Sequence, residues 1–158
     1  MNLLGESSNI YLNMLQMRYG AIDAEGENLP TIKDIMISPI ITIDSDETIY
    51  DAARIMGEKR IGSVVVTKNS KPVGIFTERD LLTKVIANNI DLKSTKVEAC
   101  MSSPLITIDE DTPLKDAIIL MASRGIMRLP ITMKGELVGI VTGMEIFNFL
   151  SLFMESLL

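Results

Sequence analysis

The sequence predicts an α/β (α+β) fold of two tandem β-α-β-β-α units, and three observations carry that prediction. The chain matches itself without a gap at an offset of 65. "MISPIITIDSDETIYDAARIM" from Met36 lies over "MSSPLITIDEDTPLKDAIILM" from Met101, and "VGIFT" from Val73 lies over "VGIVT" from Val138. Over Met36–Leu82 against Met101–Phe147, 17 of 47 positions are identical, which signals an internal duplication. Within each copy, short β-branched runs alternate with one stretch of helical periodicity.

The elements follow in order. After a proline, Ile40–Ile43 and Leu105–Ile108 read as short strands. An acidic cluster comes next: Asp44, Asp46 and Glu47, or Asp109, Glu110 and Asp111. Acids suit the positive end of a helix dipole, so a helix start is expected there. A Mg²⁺ site is the competing use of those acids. Pro113 suits a first helical position. Ile49, Ala52, Ala53 and Met56, and in the second copy Leu114, Ala117, Ile118 and Met121, give the buried helical stripe. "SVVVT" from Ser63 and "RLPIT" from Arg128 read as buried strands. Tight turns at Asn69-Ser70 and Lys134-Gly135 lead to strands over Pro72–Phe76 and Leu137–Val141. A second helix begins near Glu78 and near Gly143. The expected organisation is an N-terminal arm with a short helix and loop (1–30), repeat 1 (31–86), a linker (87–97), and repeat 2 with an apolar C-terminal helix (98–158). Ile10, Met14 and Met17 place the arm's helix. "IFNFLSLFMESLL" is apolar on nearly every face, so it needs cover from the arm or a second subunit.

Composition narrows the function. The 158 residues suffice for a core that buries roughly 68–70% of the unfolded surface. Hydrophobic residues make up 47% and mean hydropathy is +0.28, which suggests an oligomer face. The net charge of −6 disfavours nucleic acid as partner, since phosphate backbones call for a basic field. There is no histidine, the commonest general base and metal ligand, so neither catalytic residues nor a metal site are expected. Cys100 is the only cysteine, which precludes an internal disulfide and suits a reducing, cytoplasmic setting. The N-terminus does not read as a secretory signal, and no apolar run is long enough to span a membrane.

One motif invites chemistry. Thr77 and Asp80 follow a strand at a spacing of three, and Thr142 and Glu145 repeat the pattern. Threonine at an N-cap with an acid three residues later is a capping box. The same junction points free N–H groups outward, where phosphate binds, and a carboxylate's two acceptors suit the paired hydroxyls of a ribose. Spacing alone leaves both readings open.

The doubled pattern "M-x-S-P-x-I-T-I-D-x-D … V-G-I-x-T" resembles the cystathionine-β-synthase (CBS) domain pair, or Bateman module. "SVVVTKNSKPVGIFTERDLL", Ser63–Leu82, is a close match, and "RLPITMKGELVGIVTGMEIF", Arg128–Phe147, a looser one. The resemblance covers roughly residues 31 to 150. It implies two units packed sheet to sheet about a pseudo-twofold axis. It also implies clefts that bind AMP, ADP, ATP or S-adenosylmethionine, and assembly into dimers.

Carried over by position, the main cleft would use Thr77 for phosphate and Asp80 for ribose. Ile41 would lie near adenine, and Arg128 and Pro130 would come from the other repeat. Met127 stands before Arg128 where the family often has histidine. The second cleft would use Thr142, Glu145, Ile106 and Ser63. It is expected to be weak or empty, because Glu145 replaces Asp, Gly143 replaces Glu, and Ser63 stands where its counterpart is Arg128. The expected function is therefore regulatory sensing of an adenosine-containing ligand by a non-enzymatic homodimer acting on an unknown effector protein. The alternatives are a structural dimerisation module with vestigial clefts and, less favoured, a small nucleotide-directed enzyme.

Overall fold

The computed structural model describes residues 31–156; the N-terminal arm expected over 1–30 lies outside them. In chain order the elements are α1 (Ile32–Ile35), β1 (Thr42–Asp44), α2 (Ile49–Lys59), β2 (Ser63–Lys68), β3 (Lys71–Thr77) and α3 (Glu78–Asp80). The last runs into a π turn (Leu81–Val85) and a 3-10 turn (Ile86–Asn88), and a second 3-10 turn spans Val97–Ala99. Then come β4 (Ile108–Asp109), α4 (Leu114–Arg124), β5 (Arg128–Met133), β6 (Glu136–Thr142) and α5 (Gly143–Ser156). The result is an α/β fold with two three-stranded mixed sheets, each flanked by helices. No helix of the described residues is long and apolar enough to cross a membrane.

The chain divides into two compact units whose limits do not coincide with the repeats. One runs from Pro39 to Thr107; the other joins the described residues up to Ser38 to those from Ile108 onward.

In the first unit β1 pairs parallel to β2, and β2 pairs antiparallel to β3, with a register shift between Val66 and Thr67. Thr48 caps α2: its hydroxyl accepts from the Asp51 N–H at 3.1 Å. Arg60 ends that helix in the left-handed region at φ 53°. Asn69 and Ser70 both have positive φ, 51° and 63°, as a two-residue hairpin turn between right-twisted strands requires. Ile43, Ile49, Ala52, Met56, Val64, Val66, Phe76, Val85, Val97 and Cys100 form the core. Cys100 and Met56 are thus packing residues.

The segment after the linker closes this unit as a strap. The Val97 N–H donates to Glu47 O (2.8 Å), and Ser102 exchanges both backbone hydrogen bonds with Ile75 (2.9 and 2.8 Å). Gly74 makes room for it. A Cβ there would lie 2.5 Å from Met101 Sδ and 2.8 Å from Ser102 O.

The second unit repeats this plan, and its strap is the opening segment of repeat 1. The Ile32 N–H donates to Thr112 O (3.0 Å) and the Lys33 N–H to Glu110 O (2.9 Å), while Ile37 exchanges backbone hydrogen bonds with Ile140. Gly139 is the counterpart of Gly74: a Cβ would lie 2.7 Å from Ile37 O. Lys134 and Gly135 supply the positive-φ turn between β5 and β6. Leu114, Ala117, Met121, Leu129, Ile131, Val141, Ile146 and Phe149 are buried.

Two expectations shift. The first strand of each repeat is shorter than its apolar run, starting at Thr42 and at Ile108. The acidic clusters precede the helices instead of opening them. Asp44 Oδ1 accepts from the Asp46 N–H and Asp109 Oδ1 from the Asp111 N–H, each making a local turn. Asp46 then pairs with Lys96 and Asp111 with Lys33, so the acids anchor the straps. Among the described residues no three His, Cys, Asp or Glu side chains converge on a metal position.

Candidate functional site

A threonine and an acid three residues later close a helix cap at four places among the described residues: Thr31/Asp34, Thr48/Asp51, Thr77/Asp80 and Thr142/Glu145. In every case the threonine hydroxyl donates to the acid. At Thr31, Thr77 and Thr142 the backbone N–H does so as well. The capping reading of the motif therefore holds at all four. Any further role must come from what else each acid touches.

Asp80 stands apart on that test. Its Oδ2 takes the cap: the Thr77 N–H donates at 2.9 Å and the Thr77 hydroxyl at 2.7 Å. Its Oδ1 takes two side chains from outside the cap, the Ser102 hydroxyl at 2.8 Å and the Lys84 ammonium at 2.7 Å. Lys84 also donates to Ser102 Oγ (3.0 Å) and to Met101 O (3.1 Å). All three ammonium N–H groups and all four acceptor positions of the carboxylate are thereby matched. The residue is 5% exposed. Burial pushes its pKa up, but the hydrogen bonds from Lys84, Thr77 and Ser102 outweigh burial and hold it below the usual carboxylate range. Asp80 is thus a buried carboxylate, locked at one oxygen onto its own main chain and reached at the other by the half-buried Lys84 and the exposed Ser102.

The remaining expected residues fall as follows. Ser63 is buried and lies across from Thr77, and Ile41 packs against the core of the same unit. Ile106 is half-buried and belongs to that unit too. Arg128 and Pro130 lie in β5 of the other unit, with Arg128 across from Thr142 and Pro130 fully buried. Glu145 Oε2 takes both the Thr142 N–H (3.0 Å) and the Thr142 hydroxyl. Gly143 replaces the glutamate of repeat 1, and a Cβ there would meet only the Cε tip of the exposed Met127 side chain.

Lys84 and Ser102 were not among the residues expected from sequence. Lys84 carried a signal, since an acid four residues before a lysine on a helix favours pairing. Ser102 carried none, because its approach depends on the strap pairing with β3.

Comparisons with known proteins point to one family. A family model described as CBS domain matches residues 32–87 and again 97–152. An uncharacterized protein of Methanopyrus kandleri is 39% identical over 120 residues, covering 75% of this chain and 61% of that protein. The chain thus spans about three fifths of that relative's length. The CBS domain-containing protein YhcV of Bacillus subtilis is 34% identical over 113 residues, covering 72% of this chain and 80% of YhcV. A solved CBS domain pair of protein MJ0100, in complex with 5′-methylthioadenosine and S-adenosyl-L-methionine, superposes with a TM-score of 0.71 at 30% identity. It covers 78% of this chain and 97% of that one.

Proposed function

This chain belongs to the CBS-domain family as a tandem pair, and we propose that it is a regulatory module that senses an adenosine-containing ligand. The observation that carries the reading is the Asp80 carboxylate. Among the four Thr-x-x-acid boxes, it alone is buried and presents its second oxygen to both a hydroxyl and an ammonium. With Oδ2 held by the cap, the two acceptor positions of Oδ1 suit the vicinal hydroxyls of a ribose. That MJ0100 binds adenosyl compounds supports the ligand class. With Thr77 and Asp80 we group Ile41 of the same unit as the main site. Thr142 and Glu145 of the other unit make a weaker one. The module acts by binding and not by catalysis, as a homodimer, and a ligand can shift its conformations only by its differential affinity for them.

Titration calorimetry with AMP, ADP, ATP and S-adenosylmethionine tests this. Binding that Asp80→Ala abolishes and Glu145→Ala leaves intact is expected. Loss only in Glu145→Ala would reverse the ranking of the two sites.

One observation favours a second reading, a structural module with vestigial sites. The Asp80 carboxylate is already saturated by its own chain. Thermal melting separates the two. Ligand at 100 times its Kd adds about 2.7 kcal/mol of stability, and the structural reading predicts no shift.

A further inference from the structure

Four donors fill the Asp80 carboxylate, and they are of two kinds. The two from Thr77 belong to the helix cap and hold Oδ2. The two on Oδ1 are side chains with access to solvent: Ser102 is exposed, and the Lys84 side chain is 41% exposed. An ammonium and a hydroxyl on one carboxylate oxygen present the same donor chemistry as a ligand's hydroxyl pair.

We propose that Lys84 and Ser102 form an internal latch that occupies the ligand's place on Asp80, so that binding is an exchange of donors. The inference rests on the sensing reading above and adds its regulation. A diol arriving at Oδ1 takes up the hydrogen bonds that Ser102 and Lys84 release, and the carboxylate never stands unpaired. The released ammonium stays near Met101 O or moves into solvent. Ser102 belongs to the strap, whose backbone pairs with Ile75, so exchange at the carboxylate frees one of the side-chain ties that hold the strap. Repeat 2 lacks the device. The position matching Lys84 is Phe149 and the position matching Ser102 is Ile37.

The test is calorimetric titration of AMP, ATP and S-adenosylmethionine into the full chain and into Lys84→Met. Removing a half-exposed charged competitor is expected to tighten binding roughly three- to tenfold. The ligand-free variant is expected to melt lower than wild type, because a buried carboxylate has lost a partner. Should Lys84→Met fold poorly, Ser102→Ala reads the same exchange, with a smaller gain in affinity. Equal or weaker binding by a folded variant, where wild type binds, overturns the latch and leaves sensing standing. Failure of wild type and variants alike to bind any of the three overturns the sensing reading, and the latch with it.

Discussion

The two Thr-x-x-acid junctions descend from one sequence, and they have been furnished differently. Asp80 is backed by a lysine and a serine; Glu145 has a phenylalanine and an isoleucine at the matching positions, with Phe149 buried. Both acids make the same cap with the same threonine. The cap is what the fold needs and both copies retain it. The polar furnishing around Asp80 has no counterpart in the other copy, so cap formation does not explain it. The difference teaches that the two junctions part at the acid's second oxygen, which the spacing of three does not reveal.

Replacement of both acids breaks the comparison most strongly. Asp80→Ala strips a cap and leaves Lys84 and Ser102 without their acceptor, so a loss of about 2–3 kcal/mol is expected in urea unfolding. Glu145→Ala removes a cap alone and should cost about 1 kcal/mol. Equal losses would mean that the donors on Oδ1 add nothing.

A change that both copies should feel alike comes next. Gly74→Ala and Gly139→Ala each drive a Cβ against the backbone of a strap, and about 1–3 kcal/mol is expected for either. Parallel losses would show that the straps are equivalent even though the acids are not.

Acid titration sharpens the contrast further. The Asp80 carboxyl is held below its ordinary value of 3.8, so the unfolded chain binds its proton first as pH falls. The stabilisation is complete above that value and is lost as pH drops through the lower, folded one. Urea midpoints at pH 7, 4 and 3 should therefore fall more steeply for wild type than for Asp80→Asn. An identical acid limb would remove the charged Asp80 network from the account of stability.

The smallest effect is expected at Gly143→Ala. Its Cβ meets only the flexible tip of Met127, a side chain that is 57% exposed and free to swing away. A change within about 0.5 kcal/mol is expected by thermal melting. A large loss would show that Met127 is held in place.

Much of the fold was legible because local chemistry and the duplication pointed the same way. The offset of 65 fixed equivalent strands, and Asn69-Ser70 and Lys134-Gly135 marked the hairpins by residue types that tolerate positive φ. Thr77 and Asp80 could be found from spacing, and so could their cap. The straps could not. Pairing of Ser102 with Ile75 and of Ile37 with Ile140 joins residues far apart in sequence, and neither segment has the length or alternation of a strand. Lys84 was hidden for a related reason. The helix that Glu78 opens leaves α geometry at Leu81, and what the ammonium reaches is decided by the strap.

The straps also separate two kinds of boundary. The block that was copied runs from about Met36 to Leu82, whereas the block that packs together runs from Pro39 to Thr107. Scissors placed in the linker would therefore yield halves that each lack a piece donated from the start of the other copy. A designer who wants one half alone should carry the cut past Thr107, and a designer shuffling halves between related proteins should move each strap with the sheet it covers.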